Sequence, residues 1–341
     1  MIWAAAALIC GAAGGYLAWR VKLPAGVMIG AMVGAALFGL ITGKGAMPAE
    51  VKVLTQAVSG IFIGMRIKKS DLPILKRVLL PAVASAAAMV GLCIGMGAIV
   101  GIISGLDRTT AMLGCAPGGI MDMSLIAMDL HADAPVISVL HMVRLAAVVG
   151  VFPSLLKPLA KRLEGKGVPE KIPPKPAAAQ GRFPEPVYWM LTGLVGGCMG
   201  VIGKLSGIPA GTLLFSMVGT AVLSITTSKA KMPAAVKRGA QTLAGTLIGT
   251  GITLEALLTL KSLLLPALLM LILYFGINLL LAFVLHKIWK FSMRTAFFSC
   301  TPGGASDICL MAEELGGDPT KISIMQSIRA MLVVALYPIF L

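Results

Sequence analysis

Apolar runs at 1–19, 24–42, 79–103 and 263–285 each approach the ~20 residues that a helix needs to cross the hydrocarbon core of a bilayer. Such runs recur along the whole chain, and each would have to be buried on every face if water were the solvent. Hydrophobic residues make up 57% of the sequence and charged residues 13%, too little polar surface to cover a water-soluble core of this size. The fold class expected is all-α and integral to the membrane. The first run has no basic residue ahead of it, and Trp19, Arg20 and Lys22 stand where a signal peptide has small residues, so it reads as a retained first helix.

A formal net charge of +15 raises the question of nucleic acid. A nucleic-acid-binding module gathers its basic residues on one folded face with polar or aromatic readers between them; here they punctuate the ends of apolar runs, which is the pattern of membrane topology. No nucleic-acid partner is expected. Cys10, Cys93, Cys115, Cys198, Cys300 and Cys309 all fall in apolar segments without zinc-site or disulfide-framework spacing, and read as reduced packing residues. His131, His141 and His286 are scattered and unrepeated, so no metal centre is expected. No nucleophile and base pair suggests an enzyme.

Sliding the sequence against itself by 185 positions matches it without a gap from about residue 11 to the end, the mark of an internal duplication. The paired anchors are Pro24/Pro209, Met47-Pro48/Met232-Pro233, Gln56/Gln241, Gly64/Gly249, Pro81/Pro266, Cys115/Cys300, Pro117-Gly118-Gly119/Pro302-Gly303-Gly304, Asp122/Asp307, Arg144/Arg329 and Pro153/Pro338. Residues 1–160 and 187–341 form two membrane repeats. Between them, 161–186 is rich in proline and lysine and has no apolar periodicity, as a solvent-exposed linker would be.

Basic residues bias the two repeats oppositely. In the first, Arg20 and Lys22 and then Arg66, Lys68, Lys69, Lys76 and Arg77 mark alternate loops, against Lys44, Lys52 and Arg108 in the others. In the second the heavy loops hold Lys229, Lys231, Lys237, Arg238 and Lys287, Lys290, Arg294, against Lys204 and Lys261. Opposite preferences require an odd number of crossings per repeat. Five satisfies this, placing the linker on the cytoplasmic side of a bacterial inner membrane and both termini outside. Each repeat offers about six apolar segments, so one should enter and leave on the same side. The Pro-Gly-Gly segment is the candidate, since proline removes a donor and two glycines let the backbone turn. The expectation is two inverted-topology repeats of about five helices, each with a broken or re-entrant Pro-Gly-Gly helix.

The chemistry concentrates there, in Thr109–Asp129 and Arg294–Glu314. Breaks at matching places in opposed repeats would bring half-helix ends and bare carbonyls together near the midplane, where secondary transporters hold solute and coupling ion; the alternative is a pair of packing kinks. Asp122 and Asp307, with Ser124 and Ser306 beside them, follow the breaks. They could serve Na⁺ or a proton, or cap the second half-helix. Arg144 and Arg329 sit near the middle of the last span of each repeat. They could clamp an anion in two-point contact, or pair internally with Asp122 and Asp307. Gln56 and Gln241 could add neutral hydrogen bonds to the same chamber, although small residues around them suit helix contacts. Candidate substrate contacts are therefore Pro117, Gly118, Gly119, Arg144, Pro302, Gly303, Gly304, Arg329, Gln56 and Gln241.

The duplicated domain, and particularly APGGIMDMSLIAMDLHAD (116–133) followed by Arg144, resembles the bacterial AbrB-type membrane family over nearly the whole chain. The resemblance implies a duplicated membrane domain whose members carry labels as regulators of gene expression and, in older usage, as ammonia monooxygenases. That family is unrelated to the soluble DNA-binding transition-state regulator of similar name. The residues suit neither label directly: a copper oxygenase needs a ligand cluster, and a gene regulator needs a soluble reading module. The second repeat departs from the first at Ala305-Ser306 and Glu313-Glu314, so the two sites need not be equivalent. The function expected is a secondary carrier of a small organic anion driven by Na⁺ or H⁺, with a moving unit that a homodimer would brace. The alternative is a membrane sensor that binds a ligand and affects gene expression indirectly. Beyond Na⁺, no cofactor is expected.

Overall fold

The structure, a computed structural model, describes residues 2–23, 25–43, 47–151, 184–228, 230–252, 254, 263–303 and 305–341, with the side chains at 305–307, 310 and 314 outside that description. Pro24, Lys44, Pro153, the linker from Lys161 to 183, Lys229, Lys261 and Gly304 therefore lie outside the described residues, as do the side chains of Ser306 and Asp307.

The described residues hold helices and no strand. In chain order they are α1 (Ile2–Arg20), α2 (Gly26–Thr42), α3 (Ala49–Gly64), α4 (Leu72–Ser104), α5 (Arg108–Gly114), α6 (Ile120–Asp129), α7 (Ala134–Gly150), α8 (Glu185–Leu205), α9 (Gly211–Thr227), α10 (Ala234–Gly249), α11 (Leu264–Trp289), α12 (Met293–Cys300), α13 (Ala305–Glu314) and α14 (Pro319–Phe340). Among the described residues, five stretches are long and apolar enough to cross a membrane: α1, the stretch from Lys69 through α4, α8, α11 and α14. Shorter apolar helices α2, α7 and α9 stand between them. Ile102, Leu264 and Leu205 are largely exposed on such helices, the surface that lipid rather than water would cover. Glu185 opens α8, so the helix takes in the last two residues assigned above to the linker.

Helix boundaries follow the duplication. Counterparts start 185 positions apart at Gly26 and Gly211, Ala49 and Ala234, Ile120 and Ala305, and Ala134 and Pro319. Even the entry to α2 and α9 repeats, through Ala25 and Ala210 in left-handed backbone (φ 52° and 57°).

The halves are exchanged in space. Helix α3 packs on α8 and α9 of the second half, and α10 packs on α1 and α2 of the first. Glycine makes this approach possible. A Cβ on Gly60 would lie 2.4 Å from the Leu213 carbonyl oxygen and one on Gly64 2.3 Å from that of Met217; Gly245 and Gly249 meet the carbonyls of Met28 and Met32 at 2.3 Å each. No side chain larger than hydrogen fits, which is how small residues let helices pack where water cannot drive them together.

Two further contacts fix the ends of the interrupted segments. Asp107 accepts from the Thr110 amide at 2.8 Å to cap α5, and the Thr110 hydroxyl accepts from the Asp133 amide at 2.9 Å. In the second half Ser292 caps Thr295 at 3.2 Å and Thr295 accepts from the Asp318 amide at 3.0 Å. Asp133 and Asp318 then cap α7 and α14. The chain that leaves Thr110 thus returns beside it at Asp133, with the Pro-Gly-Gly break between.

Candidate functional site

Helix α5 stops at Gly114 and α6 starts at Ile120; α12 stops at Cys300 and α13 starts at Ala305. Helical bonding is interrupted where the sequence places Pro117-Gly118-Gly119 and Pro302-Gly303-Gly304. At ~1.5 Å per residue the pieces of seven, ten, eight and ten residues are each too short to cross a bilayer. Gly119 admits the Asp122 carboxylate, since a Cβ there would lie 2.6 Å from Oδ2.

A helix end leaves carbonyls short of intrahelical partners, and at each break several carbonyls are met by side chains from α7 or α14 and, at the first break, also from α11. Arg144 on α7 donates through Nη1 to the Ala116 carbonyl and through Nη2 to that of Gly118 at 2.6 Å. His141, one turn earlier, places Nε2 2.9 Å from the Leu113 carbonyl. Tyr274 on α11 donates to the Cys115 carbonyl at 2.7 Å and accepts from Arg144 at 3.2 Å, with the guanidinium 5.4 Å from its ring centre. In the second half Arg329 on α14 donates through Nη1 to the carbonyls of Ser299, Cys300 and Thr301 at 3.2, 2.9 and 3.2 Å. Gln326 donates to Phe298 at 2.9 Å, and Asn278 on α11 donates to the Thr301 hydroxyl at 2.6 Å.

A cavity of about 170 Å³ opens between the breaks. It is lined by Pro117, Gly118, Gly119, Asp122 and Arg144 from the first half and by Lys237, Gln241, Gly303, Gln326 and Arg329 from the second, with Ser59 and Phe62 on α3 and Arg66 just past its end. Arg144, Gln326 and Arg329 are buried (2%, 1% and 6% exposed). Even so, Arg144 Nε, Arg329 Nε and Gln326 Oε1 have no hydrogen-bond partner. Buried polar groups in folded proteins are rarely left so. Among the described residues, four cationic side chains line the cavity against one carboxylate, Asp122.

Asp122 lies in the first turn of α6, where the helix dipole favours a negative charge, and its Oδ1 accepts from the Ser59 hydroxyl. Arg144 directs its hydrogen bonds to two carbonyls, the Tyr274 hydroxyl and His141 Nδ1, so the internal Arg144–Asp122 pair considered above is not formed. Ser124 is placed away from the cavity, 2.7 Å from the Ser138 hydroxyl between α6 and α7. Gln56 is also elsewhere: it donates to Asp129 Oδ2 at 2.6 Å and to the Leu125 carbonyl at 3.4 Å. Asp129 further pairs with Lys52 at 2.6 Å and accepts the Ala210 amide at 2.9 Å. Gln241 lines the cavity, and Pro302 is buried next to the lining residue Gly303. Gly304 and the Asp307 and Ser306 side chains lie outside the described residues.

Arg66, Lys237, Gln326, Tyr274 and Asn278 were not singled out by their sequence. Arg66 and Lys237 stand at run ends and read as loop charges, yet both line the cavity. Spacing carried a signal: Ser59, Phe62 and Arg66 recur at three to four residues along α3 and past its end, as do Lys237 and Gln241 on α10. His141 is unrepeated in the sequence, with Gln326 at the paired position, but both hold the carbonyl at paired positions Leu113 and Phe298.

The family model described as "Transition state regulatory protein AbrB" matches residues 1–160, 158–261 and 225–341. Among curated proteins, one of Escherichia coli (strain K12) named "Putative regulator AbrB" is 27% identical over 327 residues, covering 92% of this chain and 88% of its own. "Uncharacterized protein YhjN" of Bacillus subtilis (strain 168) is 24% identical over 347 residues, covering 96% of this chain and 90% of its own.

Proposed function

The chain belongs to this AbrB family, and from the cavity between its two interrupted helices we propose that it is a secondary active transporter of a small organic anion, coupled to Na⁺ or H⁺. One observation carries the reading: both Pro-Gly-Gly breaks, with a buried arginine from each half, line a single chamber. Non-helical backbone at membrane depth is tolerated only against protein or water, and paired interrupted helices of this kind hold substrate in carriers built from inverted repeats. The reversed charge bias supports inverted orientation, with the basic linker cytoplasmic at a bacterial inner membrane. The meeting of Thr110 with Asp133, and of Thr295 with Asp318, supports segments that enter and leave on one side.

In this carrier the arginines and the glycine backbone receive the anion, with Gln241 contributing a neutral donor. Asp122, held by Ser59 at the start of α6, takes the coupling cation. Asp122→Ala should fold and lose gradient-driven uptake in proteoliposomes, whereas full uptake by that variant removes Asp122 from the coupling step.

The regulator name of the E. coli relative favours a second reading, a membrane sensor that binds the same anion without moving it and acts on gene expression indirectly. Binding with no flux under either a Na⁺ or a proton gradient decides for it.

A further inference from the structure

Two buried guanidiniums face one small chamber, and among the described residues no carboxylate pairs with either. Arg144 and Arg329 both line the chamber. Carbonyl dipoles solvate part of each group: Arg144 uses Nη1 and Nη2 on Ala116 and Gly118, while every hydrogen bond of Arg329 leaves from Nη1. Each keeps a buried Nε–H without a hydrogen-bond partner, and Nη2 of Arg329 makes no hydrogen bond, so a small turn of the Arg329 side chain would present its Nε–Nη2 edge, the edge that meets a carboxylate in two parallel bonds. Dipoles alone are poor compensation for two like charges at low dielectric. A ligand with one charge would neutralise one guanidinium and leave the other.

We propose that the substrate class is a short-chain dicarboxylate, its two ends taken by Arg144 of one half and Arg329 of the other. Pairing of positions by the duplication explains why two equivalent binding groups exist. Volume limits the chain between them: about 170 Å³ lies below the ~300–1,000 Å³ of sites for drug-sized ligands. Lys237 and Arg66 add positive charge at the walls, and Ala240 and Leu145 supply apolar surface for methylenes. Asp122 remains on its own side with Ser59 and would repel a carboxylate directed at it, which orients the ligand toward the arginines.

This inference deepens the carrier reading and rests on the same chamber, but binding tests it without transport. Purified full-length protein in detergent would be followed by thermal shift with malonate, succinate, glutarate, butyrate and sulfate. At least one diacid should raise the melting temperature, while butyrate and sulfate leave it unchanged. Stabilisation by butyrate equal to that of the best diacid, by sulfate alone, or by none of the five overturns the dicarboxylate assignment. Arg329→Lys keeps the charge and a donor for the carbonyls but loses the forked edge, so diacid affinity should fall by about tenfold or more; unchanged affinity overturns the role of Arg329. Proteoliposome flux separates the two claims. Diacid binding without flux removes the carrier reading and keeps the site, whereas uptake of monoacids alone keeps the carrier and removes the dicarboxylate.

Discussion

The two breaks present the same backbone problem and meet it with different side chains. In the first, an imidazole (His141), a guanidinium (Arg144) and a phenol (Tyr274) hold the carbonyls from Leu113 to Gly118; in the second, an amide (Gln326) and a guanidinium (Arg329) do so, with Asn278 on the Thr301 hydroxyl. What has to be supplied is an N–H or O–H donor at each bare acceptor, and several residue types supply one. The second lesson is asymmetry. Tyr274 and Asn278 stand four residues apart on α11, one serving each break, while their counterparts on α4 are Met89 and Cys93. One helix therefore carries polar support for both interruptions and its partner carries packing, with Cys93 touching the Tyr274 hydroxyl at 3.6 Å.

The largest test of this comparison is Arg144→Ala, which strips donors from the buried Ala116 carbonyl and the part-buried Gly118 carbonyl. At roughly 1–3 kcal/mol for each group left unsatisfied, stability in detergent should fall by about 3 kcal/mol or more, visible as a large drop in melting temperature. A cost near zero would mean that water replaces the guanidinium, and the break would need no clamp. Next in size is Tyr274→Phe, which removes the donor to Cys115 and should cost about 1–2 kcal/mol. Met89→Leu at the paired position should change little, and equal costs would abolish the asymmetry assigned to α11 and α4. Exchange of the donors should be milder still. His141→Gln is expected to cost under about 1 kcal/mol, because the same residue type does the same task at 326, while His141→Ala should cost about 1–3 kcal/mol. If the glutamine variant is as unstable as the alanine variant, the ring acts through its shape. Smallest should be Asp129→Asn. Its pair with Lys52 is partly exposed (side chains 26% and 17%), and such pairs contribute about 0–1 kcal/mol. Chemical denaturation or thermal melting ranks all four.

Legibility differed by kind of residue. The breaks, the duplication and the likeness of paired helices were readable because proline and glycine act on their own backbone and apolar runs declare their own solvent. Arg144 and Arg329 were readable as unusual, since a cation amid apolar sequence needs compensation. Their partners were not. The sequence offers Asp122 as the obvious counterion, but the break itself creates a row of carbonyls nearer to the guanidinium, and Ser59 on a different helix claims the carboxylate. Gln56 and Gln241 are an identical pair in the repeat, yet one is held by Asp129 and the other faces the cavity. No pairwise comparison of the two halves could separate them.

The amino-acid order alone determined the solvent and the points at which helices must stop, because each depends on residues close together in the chain, and it showed the doubling of the chain, because likeness between positions 185 apart is read without any contact. Tertiary structure decided the exchange of α3 and α10 between halves, the choice of carbonyls over carboxylate by Arg144, and the recruitment of Arg66 and Lys237 from run ends to a chamber wall. Those outcomes depend on which elements approach within a few ångströms, and in this protein that is set by glycine faces on helices far apart in sequence.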